Sequence, residues 1–213
     1  MIMHIYAFGS VCRGDIDLDS DIDVLALTDE IDHKFDPLVF SIYSYSRIQE
    51  LWNNGNPFAW HLHTESKLLF SSTGDDFIAS LGVPKIYSNA ASDCATFMEQ
   101  FVRAKQSLQN GCNSPIFELS CIFLSIRNFA TCYALGYLDI REFSRHSARR
   151  IGDKSLIVAD NTFDILQRAR LISTRGQGKI ISQIEVEQVL REIQNIADWM
   201  LGLREEIRNA RVQ

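Results

Sequence analysis

A glycine-serine pair and two aspartates two residues apart are the groups in this 213-residue chain whose types and spacing suit chemistry. Gly9-Ser10 follows the apolar run His4–Phe8; ten residues intervene, and Asp21-Ile22-Asp23 then lead into Val24-Leu25-Ala26-Leu27. On a strand, residues i and i+2 point to one face with Cα atoms roughly 6.6 Å apart. Asp21 and Asp23 are therefore placed to converge on shared cations. Two divalent ions about 3.5–4 Å apart clamp the attacking and leaving oxygens of an in-line phosphoryl displacement. Mg²⁺ commonly takes only one or two carboxylates plus substrate phosphates. Gly9 would let the backbone approach a phosphate, the Ser10 hydroxyl would donate to its oxygens, and Arg13 would add a charge-assisted contact.

The alternating acids Asp15, Asp17, Asp19, Asp21 and Asp23 also suggest a calcium loop. Counting from Asp19 places Glu30 at the twelfth position but Val24 at the sixth, where the sharp turn needs glycine. A β-branched residue resists positive φ, and the VLAL that follows reads as a buried strand, so this reading is set aside. Asp15, Asp17 and Asp19 are better explained as a solvated acidic loop.

The elements that position these groups follow from the surrounding pattern. Residues 4–8, 22–27 and 38–45 are short runs rich in β-branched, apolar and aromatic residues and predict strands; KLLFSS, residues 67–72, predicts a fourth. Residues 47–66 have helical composition, interrupted at Gly55-Asn56-Pro57. After about residue 90 the spacing changes to three and four. Helices are predicted over 92–109, over 115–135 with Ser114 as N-cap and Gly136 as stop, and near 161–172. Two more are expected to begin at the capping boxes Asp139/Glu142 and Ser182/Glu185. An apolar stripe from Val186 through Ile193 and Met200 to Ile207 predicts core or a helical homodimer surface. The expected fold is α+β: a small mixed β-sheet domain over residues 1–88 followed by an all-α helical bundle over 89–213, with the boundary between Gly82 and Ala91.

Composition narrows the class. Hydrophobic residues make up 46% and charged residues 23% of the chain, which suits a globular protein with a real core. No apolar run approaches the ~20 residues that span a bilayer, and the N-terminus lacks a signal-like pattern, so the expectation is a cytoplasmic protein without a membrane partner. The five cysteines are scattered without metal-ligand spacing and read as reduced, mostly buried thiols. Residues 1–90 carry a net charge of −8 and residues 91–213 a net +2, with a local +5 over 140–180. A basic patch beside an acidic metal site would suit a polyphosphate.

The segment GSVCRGDIDLDSDID resembles the G-S-x-x-R-G…S-D-I-D signature of the DNA polymerase β-like nucleotidyltransferase superfamily, especially its minimal members. The resemblance implies Mg²⁺- or Mn²⁺-dependent transfer of a nucleoside monophosphate, AMP foremost, from a nucleoside triphosphate to a hydroxyl, with release of pyrophosphate. Asp21 and Asp23 would be the catalytic and metal-holding residues, and Gly9, Ser10 and Arg13 would bind the nucleotide. It leaves the acceptor open among protein, tRNA, small molecule and oligonucleotide. Active members place a third carboxylate on the strand after the paired acids; Ser41 falls there, with Asp36 and Glu65 as the acids nearby. The alternative is a catalytically weakened, antitoxin-like nucleotide-binding module that acts through a partner protein. In the second half, Arg127-Asn128-Phe129-Ala130-Thr131-Cys132 resembles the R-N-x-x-x-H helix of HEPN domains with cysteine in place of histidine, and Arg141/His146 gives an R-x4-H match expected in a different helix. Loss of that imidazole favours a non-nuclease bundle, similar to the C-terminal helical domains of aminoglycoside nucleotidyltransferases. His61 and His63, two apart in a helix, point to different sides and form no metal pair.

Overall fold

A computed structural model of the chain describes residues 2–15, 22–29 and 35–210. The chain divides into two units, Met1–Ser88 and Asn89–Gln213. The first opens with β1 (Met3–Phe8), the single-turn helix α1 (Ser10–Arg13) and β2 (Asp23–Thr28). There follow β3 (Phe40–Ser44), α2 (Tyr45–Asn53), α3 (Pro57–Glu65), β4 (Ser66–Ser71) and the short α4 (Phe77–Ser80). The strands form one mixed sheet in the order β3-β2-β1-β4, with β1 antiparallel to β2 and β4 and with β2 parallel to β3.

Alternation along β1 and β2 sends Tyr6, Phe8, Leu25 and Leu27 to one face, where they pack under Ile48, Leu51 and Trp52 of α2 and Ala59 and Leu62 of α3. The break between the helices falls where the sequence punctuates it. Asn56 accepts at its side chain from Phe58 N (2.8 Å), and Pro57 starts α3. Gly55 has φ 60°, and a Cβ there would run into the Lys85 and Ile86 carbonyls. Both tryptophans hold this tail: Trp52 Nε1 donates to Gly82 O (3.0 Å) and Trp60 Nε1 to Lys85 O (3.1 Å). At the sheet end away from Gly9, buried His4 meets the Tyr45 hydroxyl at 2.7 Å; burial first, then the Asp29 and Asp75 charges, push the Tyr45 phenol up to about 12.

The second unit contains α5 (Ala90–Gln109), α6 (Pro115–Tyr133), α7 (Asp160–Arg175) and α8 (Gln183–Ala210). The α6 helix is central, packing on α5, α7 and α8. Helix α6 with its extension, Pro115–Leu138, is after all long and apolar enough to cross a membrane, but most of its apolar stretch is buried inside the fold. Apolar residues from Val186 to Ile207 along α8 are buried, so the stripe expected as core or dimer surface serves as core. Of the cysteines, Cys94 and Cys132 are buried and Cys12, Cys112 and Cys121 half-buried, all as free thiols.

Several boundaries differ from expectation. Ser114 precedes α6 without a side-chain cap, and only its carbonyl accepts, from Glu118 N. Gly136 does not stop the helix, which continues as a π-helical turn, Ala134–Leu138, and ends at Asp139 with φ 52°. No helix begins at Asp139/Glu142. The Thr131 hydroxyl and the Arg127 guanidinium, both on α6, donate to the carbonyls of Glu142 and Phe143 at 3.1 Å, taking acceptors a helix would use. Arg141 and His146 therefore lie on a non-helical segment, followed by 3₁₀ turns at Ser147–Arg149 and Gly152–Lys154. Part of the basic stretch is structural: Arg149 pairs with Asp160, Lys154 with Glu206 and Arg168 with Glu185.

The Ser182/Glu185 capping box forms as expected. Glu185 accepts from the Ser182 amide (2.8 Å) and hydroxyl (2.9 Å) while pairing with Arg168. The Ser182 amide first, then Arg168, lower the Glu185 carboxyl from 4.5 to about 2. A depressed carboxyl stabilises the fold above its unfolded value and loses that contribution as pH falls through the folded one. Because Glu185 is partly exposed, Glu185→Gln is expected to cost about 1–2 kcal/mol at pH 7. Urea unfolding of both chains should show the difference narrowing as pH falls below 4.5, and a pH-independent difference would rule out this account.

Candidate functional site

Strand register brings Asp23 and the Gly9–Arg13 turn to one end of the sheet. Phe8, the last residue of β1, pairs with Asp23, the first of β2, and on its other side with Ser66, the first of β4. Gly9 follows with φ 75° and ψ −139°, a conformation that side chains with a Cβ avoid. A Cβ on Gly9 would lie 2.6 Å from Asp23 Oδ2. The glycine thus makes room for the Asp23 carboxylate. The Gly9 carbonyl accepts from Cys12 N (3.1 Å) and Arg13 N (3.2 Å), starting α1, with Ser10 half-buried as its first residue. Cys12 reaches back to the Ala7 carbonyl, and burial raises its thiol pKa, which leaves it a poor nucleophile at neutral pH.

Arg13 lies among carboxylates. Its Nη1 pairs with Glu65 and its Nε stands 3.3 Å from Asp15 Oδ2. Glu65 is buried at the end of α3, and its Oε2 lies 2.9 Å from His61 Nε2. Phe8 meets His61 edge-on at 5.6 Å and Phe58 at 5.7 Å, packing the histidine against the sheet. Sequence reading compared His61 with His63 and missed His61 with Glu65. Their spacing of four on one helix face was the available signal.

Asp23 is exposed. Asp21, with Asp17 and Asp19, lies outside the described residues. Ser41 pairs with Leu25 in the parallel ladder; because Leu25 and Asp23 share a face, Ser41 is exposed on the face that carries Asp23. Asp36 is occupied in a turn, its side chain accepting from Leu38 N (2.9 Å) and its carbonyl from Val39 and Phe40. Among the described residues, no group of three or more histidine, cysteine and acidic side chains is gathered to hold a metal. One exposed carboxylate beside a glycine cradle is a sparse set of hard oxygen donors, which suits Mg²⁺ completed by substrate phosphates.

Sequence comparison bears on the same stretch, because residues 2–86 match the family model of the nucleotidyltransferase domain. The N-terminal unit is a nucleotidyltransferase domain. That assignment agrees with the superfamily resemblance of the Gly9–Asp23 segment, and the small mixed sheet followed by helices agrees with the α+β expectation. The domain supports nucleotidyl transfer as its general chemistry. No curated protein matches the chain in sequence.

Proposed function

We propose that the chain is a Mg²⁺- or Mn²⁺-dependent enzyme that transfers a nucleoside monophosphate, AMP foremost, from a nucleoside triphosphate to a hydroxyl of a protein, a tRNA or a small molecule. The observation that carries this reading is the close approach of Gly9 to the Asp23 carboxylate at the end of a nucleotidyltransferase sheet. Asp23, with Asp21, would hold the cation. When bound, the ion neutralises charge on the transferring phosphoryl group and makes the acceptor oxygen a better nucleophile. Around it, Gly9 leaves the space that a phosphate and a carboxylate need together. The Ser10 hydroxyl donates to a phosphate oxygen, and Arg13 supplies positive charge three residues along the same turn.

Incubating the chain with each labelled nucleoside triphosphate, Mg²⁺ or Mn²⁺ and a cell lysate is expected to label an acceptor, with no label in Asp21→Ala/Asp23→Ala. Absence of transfer from all four nucleotides would remove the enzymatic reading.

A second reading, a regulatory module that binds nucleotide without turnover, is favoured by Ser41. It stands on the Asp23 face without the carboxylate that would help activate an incoming hydroxyl. Calorimetry separates the two: this reading expects triphosphate binding that depends on Asp23 and no product.

A further inference from the structure

A carboxylate buried beside a site for a triphosphate needs an explanation. Glu65 would repel the substrate unless its charge is neutralised or put to use. The Phe8 row fixes how near it is: Asp23, Phe8 and Ser66 lie side by side on three adjacent strands, which puts the Cα atoms of Asp23 and Ser66 about two strand spacings, roughly 10 Å, apart. Glu65 precedes Ser66, so α3 ends and β4 begins at the same sheet end as the Gly9–Arg13 turn. Its Oε2 faces both Arg13 and His61.

Arg13 carries five donors in a rigid fork. Glu65 engages Nη1 and Asp15 lies beside Nε, so the guanidinium is held from two directions, while its side chain remains 20% exposed. An arginine on a one-turn helix, without such a hold, would sample many rotamers and would have to be ordered by each incoming substrate. Here the ordering is done by the fold. Phe8 packs the His61 ring, His61 meets Glu65, and Glu65 holds Arg13.

We propose that Glu65 is a positioning residue that holds the Arg13 guanidinium beside the Gly9-Ser10 turn, so that its remaining edge is preset for the triphosphate. The inference rests on the reading that this turn binds a nucleoside triphosphate, and it adds a residue outside the motif. It also separates the roles of the acids at this sheet end: Asp23 faces the ion, and Glu65 acts only through arginine.

The test is calorimetric binding of MgATP to the full chain, with thermal unfolding in parallel. Glu65→Gln is expected to weaken MgATP binding about tenfold while the unfolding midpoint moves by a few degrees at most, and Glu65→Asp, which keeps the charge, is expected to recover part of the loss. In an Arg13→Ala background, Glu65→Gln should change affinity less than twofold, because the residue it positions is gone. Unchanged affinity in Glu65→Gln, or equal losses with and without Arg13, would overturn the proposal. Should Glu65→Gln fail to fold, Arg13→Lys serves as the second probe: it keeps the charge but loses the fork, is expected to bind about tenfold more weakly, and counts against the proposal if it binds like the wild type. A wild-type chain that binds neither MgATP nor any of the other three magnesium nucleoside triphosphates would defeat the proposed function together with this inference. A wild-type chain that binds, with a Glu65→Gln chain that binds equally well, would defeat the inference alone.

Discussion

Asp23→Asn is expected to lower nucleotidyl transfer by about a thousandfold or more, which corresponds to roughly 4 kcal/mol of lost transition-state stabilisation. The substitution keeps the size and shape of the side chain. It removes the charge that would hold a divalent ion against the phosphates. Because Asp23 is exposed at the first position of β2 and its backbone pairs with Phe8, the ladder does not depend on the carboxylate. The unfolding midpoint should therefore stay within a few degrees of the wild type. Single-turnover label transfer at saturating Mg²⁺ reads the chemical step, and a variant within tenfold of the wild type would show that the ion is held elsewhere.

Gly9→Ala is the other large effect, and it acts on both fold and site. The backbone at φ 75° and ψ −139° is strained for any residue with a Cβ, at a cost of about 1–3 kcal/mol. The new methyl would also meet Asp23 Oδ2 at 2.6 Å, so the carboxylate has to move. Transfer activity should fall about as far as in Asp23→Asn. Stability should fall as well, and this separates the two variants. A double-mutant cycle with Asp23→Ala divides the cost: the steric part disappears when the carboxylate is gone, and the backbone part remains. Urea unfolding that finds the two losses additive would show that the contact between Gly9 and Asp23 carries no energy.

These effects trace to features that were partly legible in the sequence. All four strands lie within two residues of their predicted limits, because alternation and bounding turn residues are local signals. The α2–α3 break at Gly55-Asn56-Pro57 was legible for the same reason. The Asp139/Glu142 capping box misled because the decisive interactions are not local: Arg127 and Thr131, more than ten residues earlier, capture the carbonyls of that segment. Gly136 failed as a stop because the chain lengthened its turn into a π-helical step.

At the site, residue types and spacing pointed to Gly9, Ser10, Arg13, Asp21 and Asp23. They gave no sign that Arg13 would be held by Glu65, 52 residues away. An ion pair between an early turn and the end of a later helix arises only when strand order brings β4 beside β1. The space between Gly9 and Asp23 also needed coordinates, since the sequence names the glycine but does not say what its missing methyl makes room for.

The two indole hydrogen bonds to Gly82 and Lys85 determine where the nucleotidyltransferase domain can be cut. By composition, the chain could be divided anywhere between Gly82 and Ala91. In the fold, residues 83–87 complete the first unit: Lys85 N donates to Trp52 O at 3.0 Å, and Tyr87 is buried. A fragment ending at Val83 would leave the Trp60 N–H without its acceptor and open the seam that Gly55 is shaped to close. An excised domain, or a graft of this domain onto another protein, therefore has its natural seam at Ser88-Asn89, with the last six residues treated as structure rather than spacer.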